Sequence, residues 1–365
     1  MKHIGAFCGM IVALYACGGQ NGAPHVRDLD DVDKSISTSS FVSQVDFLPL
    51  LERDSFLLGE IGGIRKYGDF WYVLDNKQRE AVVAFDSSGH PMHLYDRRGH
   101  AEGEYADIAG FDVSPRTGDV CLLCGPPKII VLDKELKFKR EINLPDFYWR
   151  IAWYGDGFLL YSAEHATVDY LDLAKDGKVR RIFQAGSDKY NVAGTEPVFM
   201  RDGDRLYFHT EQSDALYEIR DFDFVPVLSL DYALKEETNR VLQTRFYGDL
   251  SLQERMKYAR PSVNCVMTKD SCVSFIYSRM LYYINMPYNH RYVNSVLKID
   301  CGKSTVKVGD QLVSWKYMYD YDPEMYAQNH LYDGVKVNHF VLTDSLKKSG
   351  NPMLVLYTLK ENFGE

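Results

Sequence analysis

One phrase recurs along this chain and leaves few folds open to it. A Gly-Asp turn leads into a short apolar strand, and a polar gap follows. A second apolar strand then ends on Asp, and a tight turn starts a third strand. Gly68-Asp69 precedes Phe70-Trp71-Tyr72-Val73-Leu74, with Val82 to Asp86 as the second strand and Met92 to Tyr95 as the third. Gly118-Asp119 precedes Val120 to Leu123 and then Ile129 to Asp133; Gly155-Asp156 precedes Phe158 to Tyr161 and then Val168 to Asp172; Gly203-Asp204 precedes Leu206 to Phe208 and then Leu216 to Ile219. A fifth copy is read from Asp270 through Phe275-Ile276-Tyr277 to Val296–Asp300 and Gly302, and a sixth pairs His339 to Leu342 with Met353 to Tyr357. The closing acids Asp86, Asp133 and Asp172 stand 47 and then 39 residues apart, the period of a propeller blade. An Asp at such a corner accepts from the backbone two residues on, which is a structural duty. Six copies predict an all-β, six-bladed β-propeller over residues 41–365. An open stack of blades would expose a raw edge, and Val45-Asp46-Phe47-Leu48 through Leu51 is placed to complete the last blade. Ser251-Leu252-Gln253-Glu254 is a capping-box pattern for a short inter-blade helix, and Asp322-Pro323-Glu324 starts a second.

Composition agrees with that reading and removes some functions. Of 365 residues 13% are aromatic, which favours strands. The 42 basic against 51 acidic residues leave a net charge of −9, which argues against a nucleic-acid partner. Seven cysteines are too few for a disulfide scaffold in a chain this long.

The N-terminus supplies an address. Lys2 and His3 precede an apolar run from Ile4 to Ala16, too short to span a bilayer as a helix but suited to a secretory leader. The run ends Leu14-Tyr15-Ala16-Cys17, similar to a bacterial lipobox, in which the cysteine is lipidated after cleavage. Residues 1–16 are therefore read as a leader, Cys17 as the lipidation site, and 17–40 as a polar tether with acids at Asp28, Asp30, Asp31 and Asp33. Two or more acyl chains give stable membrane anchoring where one does not.

The segment Arg98-Gly99-His100-Ala101-Glu102-Gly103-Glu104-Tyr105 resembles the Gly-x-Gly-Pro-Gly-Glu-Tyr phrase of the six-bladed β-propeller lipoproteins of Bacteroidetes, relatives of NHL-repeat and TolB-like propellers. It matches at Gly99, Gly103, Glu104 and Tyr105 and departs at Ala101 and Glu102. Phe85 to Gly89, Ala215 to Ile219 and the lipobox are similar too. The resemblance implies the propeller fold and a location in the cell envelope, and no shared enzymatic activity; with the lipid anchor the expected address is the outer membrane, on its periplasmic or its surface side. On physical grounds Gly99 and Gly103 give the link between blades its backbone freedom, Glu104 satisfies backbone N–H groups there, and Tyr105 packs between blades with its hydroxyl outward. The functional alternative makes Arg97, Arg98, His100, Glu102 and Glu104 a polar ligand face.

Other chemistry is sparse. Cys121-Leu122-Leu123-Cys124 has the C-x-x-C spacing, but residues three apart on a strand point to opposite faces, and no second pair supports a zinc site. Cys265 and Cys272 flank a hairpin closely enough in sequence to pair. No metal-protease, nucleophile-elbow or phosphate-loop motif occurs. No cofactor is implied; Ca²⁺ held by strand-end acids at the channel, as in some propeller lactonases, needs a convergence that spacing alone does not show. Tyr282-Tyr283, Phe147-Tyr148-Trp149 and Trp315 to Tyr321 are strand-packing aromatics or, alternatively, a sugar-stacking platform. The sequence thus predicts a monomeric lipoprotein that binds a protein, peptide or glycan, with a metal-dependent propeller hydrolase or lyase as the rival class.

Overall fold

The computed structural model of the chain describes residues 42–278 and 306–360, apart from the stretches 53–56, 77–78, 187–197, 232–233, 259–261, 270–271, 325–332 and 347–348 and a few single positions, together with residues 11–12 and 25–28. These residues form a β-propeller, almost all sheet. The first blade comprises Ile61–Tyr67, Phe70–Asp75, Ala81–Phe85 and Pro91–Tyr95. The second comprises Asp107–Val113, Val120–Gly125, Lys128–Leu132 and Phe138–Asn143. The third comprises Arg150–Tyr154, Gly157–Ser162, Thr167–Asp172 and Val179–Gln184. The fourth comprises Phe199–Asp202, Arg205–Phe208, Ala215–Arg220 and Asp223–Asp231. Each is an antiparallel meander running from the axis outward, so neighbouring strands need only hairpins.

The repeated phrase explains the local geometry. Gly68 and Gly118, at φ +57° and +75°, turn the first strand of a blade into the second in a conformation that costs other residues a steric penalty. The closing acids cap the second hairpin as expected: Asp86 Oδ1 accepts from the N–H groups of Ser88 and His90, Asp133 Oδ1 from Glu135 and Lys137, and Asp172 Oδ1 from Ala174 and Lys175.

The last blade is built from both ends of the chain. Val306–Val308 and Gln311–Tyr317 pair in order, Pro352–Leu359 follows, and Val42–Pro49 adds antiparallel to it, in register from Met353 opposite Pro49 to Leu359 opposite Val42. Lys336–Val337 adds parallel on the far side of Val42–Pro49. The closing role predicted for Val45 through Leu51 is thus filled by a strand that begins three residues earlier.

Three expectations are corrected. The ring has five blades, not six. The fifth copy yields a hairpin, Ser262–Lys269 with Cys272–Ser278, joined by the two-residue strand Ile11–Val12 into a three-stranded sheet. The segment Val296–Asp300, read as its partner, lies outside the described residues. The inner strand Phe199–Asp202 touches both this hairpin and Val306–Val308, so the fourth and last blades meet directly and the hairpin does not separate them as a blade would. The last blade opens with its own Gly-Asp turn, at Gly309-Asp310, and His339 to Val341 are not a strand within it. The rings of His339 and Phe340 instead pack on Phe47 of the closing strand, at 6.3 and 6.1 Å, and Phe340 stacks 4.6 Å from Tyr321. The register of the hairpin sets Cys272 opposite Lys269 and Cys265 opposite Ile276. The two cysteines are therefore about 13 Å apart along the ladder, beyond disulfide reach.

The inter-blade helices follow the fourth blade. Lys235–Thr244 and Leu252–Lys257 pack through Leu242, Leu250 and Tyr258, and the second carries the full capping box of Ser251 and Glu254. At the other predicted helix Asp322 Oδ1 accepts the Glu324 N–H, 2.9 Å, and the continuation lies outside the described residues. His25–Asp28, inside the stretch read as a tether, adds parallel to the outer strand Asp223–Asp231.

The core is a set of layers between blades. Tyr72, Val82 and Tyr105 meet Val120, Leu122 and Leu132 between the first two blades; Cys121, Ile129 and Val131 meet Ile151, Phe158 and Leu160 between the next two. Cys121 and Cys124 face these two different layers, as the strand period requires, and burial pushes both thiols up. They are packing residues, not a redox pair.

Candidate functional site

The phrase that carries the family resemblance lies in the link from the outer edge of the first blade to the inner strand of the second. Its hydrogen bonds are local. Glu104 Oε2 accepts the Ala101 N–H at 3.0 Å, the Tyr105 N–H donates to the Arg97 carbonyl at 3.0 Å, and the Gly99 N–H to the Tyr105 carbonyl at 2.9 Å. A methyl group on Gly99 would meet Glu104 Oε2 at 2.0 Å, so the folded-back carboxylate needs glycine there. The Gly103 N–H donates to Glu141 of the second blade, and the Tyr95 hydroxyl donates to the Gly103 carbonyl. Tyr105 is fully buried between the first two blades. Its hydroxyl does not turn outward: it donates inward to the Glu80 carbonyl at 2.7 Å, and burial pushes the phenol above its usual value, so it stays protonated. Tyr105→Phe should cost about 1 kcal/mol, seen as a lower denaturant midpoint at an unchanged slope; an unmoved midpoint would show that the bond adds nothing net.

Arg97, Arg98, His100 and Glu102 are exposed on this outer link. Arg98 pairs with Glu80 at 2.8 Å and Arg97 with Glu104 at 4.0 Å. None of the four is among the residues that line the axial cavity described next. Cys17 lies outside the described residues.

The site that spacing does not reveal is at the axis. The inner strands of the blades surround a cavity of about 340 Å³, which reaches the turns at Pro115, Gly203 and Gly309. Ile64, Val113, Ile151, Phe199, Leu206 and Val308 give it apolar walls; Arg65, Lys66, Asp112, Arg201, Asp204 and Lys307 give it charge. Asp112 is the hub. Its Oδ1 accepts from Arg65 Nε at 2.9 Å, while Oδ2 accepts from the Trp153 N–H at 2.9 Å and from Arg201 Nη2 at 3.3 Å. One carboxylate thus ties together the first, second, third and fourth blades. Burial alone would raise the Asp112 carboxyl, but the charges of Arg201 and Arg65 and the Trp153 N–H outweigh it and hold the group below the usual carboxylate range. Arg201 also donates to the Trp153 carbonyl, and its Nε is buried with no acceptor among the described residues. Lys307 of the last blade donates to Asp202 and to the Gly309 carbonyl. Arg65 lies over the Phe111 ring at 5.4 Å, and Lys66 over Trp71 at 4.7 Å.

Among the described residues no group of three or more His, Cys, Asp or Glu is placed to hold a metal ion. No helix among them is long and apolar enough to cross a membrane. The cavity's chemistry is that of charge-assisted binding with apolar contact, the usual make-up of a small-ligand site.

Comparison with known proteins fits this architecture. The sequence matches, over residues 25–358, a family described as a domain of unknown function, DUF4934. No curated protein matches it. The fold is similar to that of a candidate exported protein of Bacteroides fragilis, 14% identical, with a TM-score of 0.63 over 93% of this chain and all of that one. Looser likenesses run to the virginiamycin B lyase of Staphylococcus aureus (14% identity, 64% of this chain and 67% of that one, TM-score 0.39) and the glutaminyl cyclase of Myxococcus xanthus (9% identity, 70% and 94%, TM-score 0.37). At 14% identity the likeness to the Bacteroides fragilis protein is one of fold.

Proposed function

We infer, from the premise that the chain belongs to the DUF4934 family, that it is an exported binding module of the cell envelope. In this reading the ring is anchored through Cys17 at the outer membrane and engages a protein, peptide or glycan through the end of its central channel. The observation that carries the reading is the axial cavity: apolar walls with convergent charged groups, formed by inner strands of several blades and hence held rigidly. The leader-like residues 1–16 and the exported character suggested for the Bacteroides fragilis neighbour support the address. The rival reading, a metal-dependent hydrolase or lyase at the channel mouth, would need a ligand set, and the described residues supply none.

Two measurements test it. Membrane fractionation of a Cys17→Ala variant should move the protein from the membrane to the soluble fraction, and unchanged fractionation would refute lipidation. A soluble form beginning at residue 18, presented to a glycan array and to envelope extracts, should enrich one ligand repeatedly. No enrichment across several conditions counts against a binding role.

A further inference from the structure

The axial cavity holds more positive charge than its surroundings explain. The chain as a whole carries −9, yet four of the six charged residues lining this cavity are basic. Asp112, the one deeply buried acid among them, is shared by two guanidiniums. Each pairing takes part of the same buried carboxylate, so a positive surplus remains around it, on side chains that keep some contact with water. Lys307 is matched by Asp202, whereas Lys66 has no acidic partner among the described residues and rests on an aromatic face. Arg201 presents a further buried donor, its Nε–H, with no acceptor among those residues. A buried guanidinium donor left unmatched is costly unless something accepts from it.

The geometry points to a small organic anion as the occupant: a carboxylate seated against Arg201 and Lys66, with its apolar body against Ile64, Ile151 and Phe199. The class follows from the two kinds of surface together. An inorganic anion would use the cations and leave the apolar walls wet; a neutral apolar molecule would leave the surplus charge uncompensated. The inference rests on the binding-module reading above in using the same channel, and it commits the cavity's occupant to a small carboxylate in place of a protein, peptide or glycan.

The test is calorimetric titration of the full chain, purified in detergent, with three probes: 3-phenylpropionate, its neutral amide, and inorganic phosphate. 3-Phenylpropionate should bind, with the amide about tenfold or more weaker and phosphate weaker still. Lys66→Gln, an exposed position, should weaken carboxylate binding about fivefold. Arg201→Lys, which keeps the charge but loses the Nε donor, should do the same; because it also weakens the bonds to Asp112 and the Trp153 carbonyl, its affinity is read below its own, lower, melting temperature. If Arg201→Lys fails to fold, Lys66→Gln decides alone. No binding, amide binding equal to the acid, phosphate binding tighter than the acid, or unchanged affinity in Lys66→Gln would each overturn the proposal. Partner capture that survives Lys66→Gln and excess 3-phenylpropionate would sink the anion site while leaving the binding-module reading in place.

Discussion

Asp112→Ala is expected to destabilise the ring by about 3–5 kcal/mol. The substitution removes the carboxylate that joins Arg65, Arg201 and the Trp153 N–H, and it leaves two neighbouring guanidiniums without the acid they share. Because Arg65 and Arg201 keep 30% and 23% of their side-chain surface exposed, water relieves part of that repulsion, so the lower end of the range is the expected value. Thermal unfolding should show it as a fall of roughly 6 °C or more. A triple variant, Asp112→Leu with Arg65→Met and Arg201→Met, should recover most of the loss, since an apolar cluster needs no partner for a buried charge. The pH dependence has a definite sign. The folded carboxyl lies below its unfolded value, so its contribution is complete above about pH 4 and is lost as pH falls through the depressed folded value. The wild type should therefore lose stability more steeply below pH 4 than the triple variant. An Asp112→Ala melt within a degree of the wild type would show that the charge hub does not hold the blades together.

The two layers of this molecule differ in how far sequence exposes them. The first three blades are legible because their signals are local: a Gly-Asp turn, alternating apolar residues and an Asp that closes its own corner two residues on. Segments with apolar character alone mislead. His339 to Leu342 reads as a strand, yet His339 and Phe340 serve a ring cluster on Phe47 and Tyr321, an environment decided by tertiary packing. The true mark of that blade, Gly309-Asp310, carries the same turn signal as the others. The axial charges are harder to see. Arg65, Asp112, Arg201 and Lys307 come from four blades, and no fixed spacing connects residues that meet only when a ring closes. A subtler trace exists: each stands on an inner strand, two to six residues before the glycine that turns it, at Gly68, Gly118, Gly203 and Gly309. The phrase behind the family resemblance has the reverse character. It is conspicuous in sequence because Gly99, Gly103, Glu104 and Tyr105 satisfy a tight link, and the structure gives those residues backbone partners.

Closure of the ring sets the largest effect. A variant beginning at residue 51 should not fold cooperatively, whereas one beginning at residue 41 should unfold in a single transition near that of the longer chain. Val42–Pro49 lies inside the last blade, between Pro352–Leu359 and Lys336–Val337, so its loss strips both neighbours. Val42, Val45, Leu48 and Leu50 are all buried, and at about 1.5–3 kcal/mol each their removal approaches the whole stability of a typical domain. The Asn338 side chain and backbone, which bond Asp46 and the Val45 carbonyl, would lose both partners. The exposed edge of Pro352–Leu359, with Leu354 and Val355 on it, would also invite pairing between molecules, so aggregation should accompany the loss. The strand's place in the chain is a matter of connection, not of pairing: it runs antiparallel to Pro352–Leu359. Appending residues 41–50 behind residue 365 through a flexible linker should therefore restore cooperative unfolding to the truncated chain, because the same ladder forms as a hairpin. Circular dichroism melts and size-exclusion profiles of the three variants measure this directly. A cooperative, monomeric variant beginning at residue 51 would show that the last blade stands without the N-terminal strand.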